Sequence, residues 1–127
     1  MILLDTNVII EYLKNRYPSL DPLLDTGECA TCGIVLAELI HGIKSDSEKI
    51  KIVAALSEFH WISIDNSIWE KTGDNLRILR SNGITVPFQD AVIATLCIEK
   101  KCSLLTLDSH FKKIADLITD LVLYPAV

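Results

Sequence analysis

The sequence predicts an α/β protein with a mostly parallel sheet and helices on both faces of that sheet. The first observation is an apolar run, residues 1–4, that stops at Asp5 and is followed by a second apolar run at helical spacing. The second is that short apolar segments alternate with longer helical ones along all 127 residues. Because such strands are joined by right-handed crossovers, they lie parallel and the helices cover the sheet.

Each predicted element has a local signal. Pro18 breaks the chain after the first helix, Ser45 or Asp46 can cap a later one, Gly83 is a left-handed helix end, and Pro87 begins the next helix. In chain order we expect a strand at 1–4, a helix at 8–13, a short helix at 20–24, a strand at 29–32, helices at 33–43 and 46–58, a strand at 61–64, helices at 66–81 and 87–100, a strand at 103–106, a short helix at 109–115 and a fifth strand at 121–124.

Length and composition predict one domain, residues 1–127, with one core, since no linker, repeat or low-complexity stretch divides the chain. No apolar run is long enough to span a bilayer and no secretory signal begins the sequence, which favours a cytoplasmic protein without a membrane partner. The formal net charge is −5 and the pI is near 5.1. A polyanionic substrate would therefore need metal ions or a local basic patch.

Four cysteines allow a zinc or redox interpretation because Cys29 and Cys32 have C-x-x-C spacing. The second pair, Cys97 and Cys102, is spaced more widely, and Cys29 and Cys32 flank a strand end, where residues three apart point to opposite faces. Small buried hydrophobic side chains in a reducing compartment are the preferred interpretation.

Four acidic residues lie at positions that favour a shared site. Asp5 and Asp108 each follow a predicted strand, whereas Glu38 and Asp90 interrupt apolar helix faces. Each has a structural alternative, because Asp5 and Asp108 can cap a helix and Asp90 can favour a helix N-terminus. Those alternatives do not explain why all four should meet at the carboxyl end of the sheet, where ligands of parallel α/β proteins bind.

Clustered carboxylates without a basic, histidine or cysteine pattern favour a hard cation, Mg²⁺ or Mn²⁺, over Zn²⁺. Such ions commonly serve phosphoryl chemistry, because they generate hydroxide and stabilise the attacking and leaving oxygens. We expect His41, His60 and His110 to be surface or half-buried residues, since none has the spacing of a nucleophilic triad.

Four short segments occur over nearly the whole chain: Leu3-Leu4-Asp5-Thr6-Asn7, Leu36-Ala37-Glu38-Leu39, Pro87-Phe88-Gln89-Asp90-Ala91-Val92-Ile93-Ala94 and Leu105-Thr106-Leu107-Asp108-Ser109-His110-Phe111. In this order and spacing they resemble a PIN domain, and most of all the VapC ribonuclease toxins of toxin–antitoxin operons. The resemblance implies a three-layer α/β/α sandwich with strand order 3-2-1-4-5, in which strands one and four are neighbours.

The resemblance also implies roles for individual residues. Asp5, Glu38, Asp90 and Asp108 match the acidic, metal-binding and catalytic positions, and Thr6 and Thr106 match hydroxyl positions that support the carboxylates or water. It further implies a Mg²⁺-dependent endoribonuclease that forms a homodimer and is silenced by a cognate antitoxin. The basic residues that could contact RNA are Lys44, Lys49, Lys51, Arg77, Arg80, Lys100, Lys101, Lys112 and Lys113.

Two other functions stay open at this point. A different metal-dependent phosphoryl-transfer enzyme, such as a phosphatase or phospho-receiver, would usually carry paired aspartates at the first strand, where this chain has Asp5 alone. A non-catalytic interaction module would not need all four acidic positions to be filled. The apolar residues 8–13 and 17–24 exceed what one sheet face needs, which independently favours a homodimer.

Overall fold

The computed structural model describes residues 1–126, which form a four-stranded parallel sheet and seven α-helices. The strands are β1 (Ile2–Leu4), β2 (Cys29–Thr31), β3 (His60–Trp61) and β4 (Ser103–Leu105). The helices are α1 (Thr6–Leu13), α2 (Asp21–Asp25), α3 (Gly33–His41), α4 (Asp46–Leu56), α5 (Asn66–Ser81), α6 (Phe88–Lys100) and α7 (His110–Leu117), and a 3-10 turn, Pro18–Leu20, precedes α2.

The strand order is β3-β2-β1-β4, so the chain reverses its direction of travel across the sheet between β1 and β4. Leu3 pairs with Ala30 of β2 and with Leu104 of β4, in parallel register on both sides. Leu3 and Leu4 are both fully buried. Because neighbouring strand residues point to opposite faces, both faces of the sheet are covered, which confirms the predicted α/β class.

The helices form two groups. In the first, α3 packs against α1 and α4, and in the second, α6 packs against α5 and α7. The first group is drawn to the sheet by apolar residues at helical spacing, such as Val8, Val35 and Leu39, all of which are buried. In α6 every side chain from Ala91 to Cys97 is buried. This long buried run begins one residue after Asp90, so the aspartate lies where the core reaches solvent.

Two predicted strands differ from the structure. The third was expected at 61–64, but β3 ends at Trp61. The N–H of Ile62 donates a final hydrogen bond to the carbonyl of Thr31, and three residues later Asp65 is the N-cap of α5. The fifth, at 121–124, is reduced to an isolated parallel bridge between Leu104 and Leu123. That segment lies beside β4, as expected, yet pairs over too few residues to form a regular strand.

All four cysteines are buried free thiols, which agrees with their interpretation as small core residues. Burial raises the pKa of Cys29, Cys32, Cys97 and Cys102, which keeps the thiols protonated. No helix within residues 1–126 combines the length and the apolarity that crossing a bilayer demands.

Candidate metal centre

Two threonines bind the carboxylates of Asp5 and Glu38 and the backbone of Asp108 at the point where strand order reverses. Thr106, directly after β4, donates its hydroxyl to Asp5 Oδ2 at 2.7 Å and accepts the backbone N–H of Asp108 at 3.0 Å. Thr6, at the start of α1, donates its hydroxyl to Glu38 Oε1 at 3.1 Å. The hydrogen bonds thus run from α3 through α1 to the loop after β4, and they hold side chains from three parts of the chain in one place.

Asp5 is the most buried of the four carboxylates, with 6% of its surface exposed. Its Oδ1 accepts the N–H of Thr6 at 2.8 Å, so it does cap α1 as the structural alternative proposed. Burial raises the pKa of Asp5, the bonds from Thr106 and Thr6 lower it, and the charge of Asp108 raises it. Asp5 therefore both caps α1, through Oδ1, and belongs to the carboxylate cluster, where Oδ2 accepts the Thr106 hydroxyl.

Glu38 is half-buried on α3, and burial raises its pKa, with a further increase from the charge of Asp5 and a decrease from the Thr6 hydroxyl. A glutamate on an otherwise apolar helix face is costly unless a partner compensates it. Its partner in this chain is a neutral hydroxyl. Within residues 1–126 the charge of Glu38 thus has one hydrogen bond from a neutral group and no ion pair with a lysine or arginine.

Of the four carboxylates, Asp90 has the pKa that is shifted furthest from its ordinary value. Burial and the charges of Asp5, Asp108 and Glu38 raise its pKa from 3.8 to about 6, and His110 lowers it. Asp90 lies in the first turn of α6, where the helix dipole favours an ionised carboxylate. Since the pKa moves in the opposite direction, desolvation and the neighbouring like charges outweigh the dipole.

Asp108 lies between β4 and α7 and makes two contacts with His110. Its Oδ1 accepts the backbone N–H of His110 at 2.9 Å, and the ring Nδ1 lies 3.2 Å from the same oxygen. That ring nitrogen is also 3.8 Å from Asp90 Oδ2. One potential ligand atom from each of Asp90, Asp108 and His110 lies within 4.8 Å of the others, which is a spacing that one cation can bridge.

Sequence reasoning assigned no role to His110 or Asn7. His110 is half-exposed, as expected, but it lies against two carboxylates; the signal that could have found it is its spacing two residues after Asp108, typical of a side chain that caps the next turn. Asn7 accepts the N–H of Leu107 at 3.2 Å and ties the start of α1 to the loop after β4. Asn7 therefore joins α1 to the loop after β4, and His110 contacts both Asp90 of α6 and Asp108 of that loop.

The donor set fits a hard divalent cation. Within residues 1–126, no lysine or arginine forms an ion pair with Asp5, Glu38, Asp90 or Asp108, and their one basic neighbour is His110. Carboxylate oxygens that repel one another and lack a cationic partner are the ligands that Mg²⁺ and Mn²⁺ prefer. A bound divalent ion would attract each of these carboxylates and offset their mutual repulsion, so it would stabilise this arrangement of side chains.

The raised pKa of Asp90 predicts an unusual pH dependence of stability in chelator. A carboxyl whose folded pKa is about 6 and whose unfolded pKa is 3.8 holds its proton more tightly in the folded protein. Its contribution to the free energy of unfolding therefore falls as pH rises from about 4 to about 6, by on the order of 2 kcal/mol. Urea unfolding across this range measures the slope. A contribution from Asp90 that grows with pH, obtained as the difference from Asp90→Asn, would contradict the crowded site.

Comparison with known proteins identifies the class that this fold and site define. The PIN domain family model matches residues 2–117, so the chain belongs to the PIN domain family, a family of nucleases. Searching the curated proteins gave no match.

Solved structures match over almost their whole length. VapBC2 from Rickettsia felis, bound to a DNA fragment from its promoter, has 26% identity and a TM-score of 0.80, with 98% of each chain covered. VapBC-1 from nontypeable Haemophilus influenzae has 25% identity and a TM-score of 0.79, covering 98% of this chain and 97% of that one. DNA-bound VapBC from Salmonella typhimurium has 21% identity, a TM-score of 0.81 and coverage of 97% and 96%, and shows likeness of fold. The resemblance inferred from four short segments is thereby confirmed.

Proposed function

We propose that the protein is a Mg²⁺-dependent endoribonuclease, with Mn²⁺ able to substitute, and that its single domain acts as the toxin of a toxin–antitoxin pair in the cytoplasm. The observation that carries the proposal is the cluster of Asp5, Glu38, Asp90 and Asp108, in which burial and the charges of the other three raise the pKa of Asp90. No lysine or arginine of the described chain forms an ion pair with these four carboxylates. Family membership narrows the chemistry of such a cluster to nucleic-acid hydrolysis.

Each residue has a role in that reaction. Asp5, Glu38, Asp90 and Asp108 hold the metal, and Thr6 and Thr106 fix the carboxylates of Glu38 and Asp5 through the hydroxyl bonds described above. When bound, the ion activates water and stabilises charge on the phosphate oxygens. Preorganised ligands matter because a side chain displaced by about 1 Å costs about a hundredfold in rate.

An antitoxin is the second partner that we propose. The structures from Rickettsia felis and Salmonella typhimurium are VapBC complexes on DNA, and a match from Klebsiella pneumoniae is a toxin–antitoxin complex. These are properties of those proteins. Their likeness to this chain over nearly its whole length supports the proposal that a small cognate protein covers the carboxylate cluster and blocks RNA.

Metal removal tests the reaction directly. RNA incubated with the purified protein should be cleaved in Mg²⁺ or Mn²⁺, should remain intact in EDTA, and should be cleaved again when either ion is restored. The reason is that four uncompensated carboxylates would otherwise repel the phosphate. Undiminished cleavage in EDTA would eliminate the metal mechanism, and accumulation of an aspartyl-phosphate would favour a phosphatase or phospho-receiver instead.

We also propose a homodimer, although the structure changes the reason for it. Most of the apolar surface of residues 8–24 is buried within the chain, and Leu13 is its main exposed member at 41%. What remains open is an apolar groove of about 360 Å³ between α1, α2 and α4, lined by residues that include Ile9, Tyr12, Leu13, Leu20 and Leu24. Burying such a groove against a second copy would stabilise a dimer.

Light scattering at micromolar concentration should accordingly give twice the monomer mass of 14.1 kDa without antitoxin. Leu13→Asp places a charge in the groove and should shift the protein toward monomer, whereas Val122→Asp changes another exposed apolar residue and should not. A wild-type protein that remains monomeric at these concentrations would contradict the dimer.

A further inference from the structure

A groove carrying two arginines lies along α5, the helix that packs on the α6 helix of Asp90. It has a volume of about 310 Å³ and runs between the second half of α5 and the segment 84–86. Its helical wall consists of Gly73, Leu76, Arg77 and Arg80, which share one face of α5 because they are spaced three or four residues apart. The groove therefore has cationic side chains on its helical side, and the irregular segment 84–86 forms its other side.

The groove opens close to the carboxylates. Val86 lines it, and four residues of extended chain span at most about 14 Å, which bounds the backbone distance from Val86 to Asp90. The helices confirm this placement. Asn75 donates to Thr95 at 2.9 Å and Lys71 contacts Glu99, so α5 runs antiparallel to α6 and its second half faces the end of α6 that carries Asp90.

The charges of the groove are available to a ligand. Arg80 forms no ion pair with a carboxylate of residues 1–126. Arg77 lies 3.6 Å from Asp74 in a pair whose members are 72% and 59% exposed, and such surface pairs contribute little. In a chain of net charge −5, two adjacent arginines next to an acidic site are a local exception that suits phosphate.

An exposed aromatic residue lies in the chain between Val86, which lines the groove, and Asp90. Phe88 is the first residue of α6, two before Asp90, and 56% of its surface is exposed. Every side chain from Ala91 to Cys97 on the same helix is buried, so the core does not use Phe88. An exposed ring at this position can stack on a planar ligand that is held at the metal centre.

We propose that this groove binds the backbone of single-stranded RNA next to the cleaved bond, with Arg77 and Arg80 on its phosphates and Phe88 stacked on an unpaired base. The proposal rests on the proposed function and specifies its substrate. Arginine on phosphate supplies affinity without sequence preference. A base face is free to stack on Phe88 only where the RNA is unpaired, as in a loop or a single strand.

The test measures binding separately from cleavage. A short fluorescein-labelled single-stranded RNA of mixed sequence is titrated in Mg²⁺ against the full chain carrying Asp90→Asn, which prevents cleavage during the titration. Adding Phe88→Ala should raise Kd about tenfold. Adding Arg80→Gln should raise Kd several-fold and reduce the slope of log K against log salt by about 0.7. Phe88→Ala should leave the Kd for a duplex of the same sequence unchanged.

Two control substitutions match these changes in chemistry but lie elsewhere. Trp69→Ala removes another exposed aromatic side chain, near the start of α5. Lys71 at that end of α5 contacts Glu99, which lies about 13 Å along α6 from Asp90. Lys14→Gln removes a charge at the end of α1, about 12 Å along that helix from Thr6. Neither should change the Kd for RNA by more than about twofold.

Unchanged single-strand Kd in both Phe88→Ala and Arg80→Gln would overturn the proposal. So would an equal loss for duplex and single strand in Phe88→Ala, or a change confined to dimer or antitoxin affinity, which would make the groove a protein interface. Wild-type cleavage in Mg²⁺ is measured in parallel. If the wild type cleaves RNA while the variants bind normally, the groove fails and the proposed function stands.

Discussion

Asp90→Asn is expected to reduce RNA cleavage to background while leaving the metal-free protein at least as stable as wild type at neutral pH. The substitution keeps the shape of the side chain and removes one charge from the metal centre. That charge is disfavoured in the folded chain, since its pKa is raised to about 6 by burial and by Asp5, Asp108 and Glu38. Its removal should therefore raise the free energy of unfolding in chelator by about 1 to 3 kcal/mol.

Asp46→Asn is the matched control for that experiment. Asp46 lies in the first turn of α4, as Asp90 does in α6, but it is exposed and is not one of the four carboxylates of the metal centre. Its substitution should retain cleavage and cost a few tenths to about 1 kcal/mol through the helix dipole. If Asp90→Asn behaves like this control, remaining active and losing stability, the four-carboxylate site is wrong.

Thr106→Val should destabilise the protein, whereas Thr72→Val should not. The Thr106 hydroxyl donates to buried Asp5 at 2.7 Å and accepts from Asp108 N–H at 3.0 Å. Valine would leave a carboxylate oxygen and an N–H without that partner, which costs about 1 to 3 kcal/mol. The Thr72 hydroxyl is buried without a partner on α5, so valine there removes a desolvated polar atom and should be neutral or stabilise by about 1 kcal/mol.

Urea unfolding in chelator measures both variants, and cleavage in Mg²⁺ gives a second measurement. Thr106→Val should also weaken cleavage, because Asp5 loses the bond that orients it, whereas Thr72→Val should cleave at the wild-type rate. Equal stability of the two variants would show that Thr106 does not hold Asp5 in solution.

Much of the architecture follows from local sequence. The helix that ends at Ser81, two residues before Gly83, and the helix that begins after Pro87 lie where their caps predict, because turn and cap residues act within a few positions of one another. The fifth strand was overestimated for the opposite reason. An apolar run predicts burial, but the number of residues that pair with β4 depends on how the chain leaves α7.

The candidate site, like the fold, has features that local sequence predicts and features that depend on tertiary structure. The sequence by itself determined the kind of residue, an excess of carboxylates at strand ends and on apolar helix faces, because a misplaced charge is visible against its neighbours. Only the tertiary structure decided which of them interact. Thr106 meets Asp5 across 101 residues, and His110 meets Asp90 through the packing of α7 beside α6. Those contacts depend on distance, and the raised pKa of Asp90 depends on its burial and on the charges of Asp5, Asp108 and Glu38. Both exist only once parallel strands bring remote segments together.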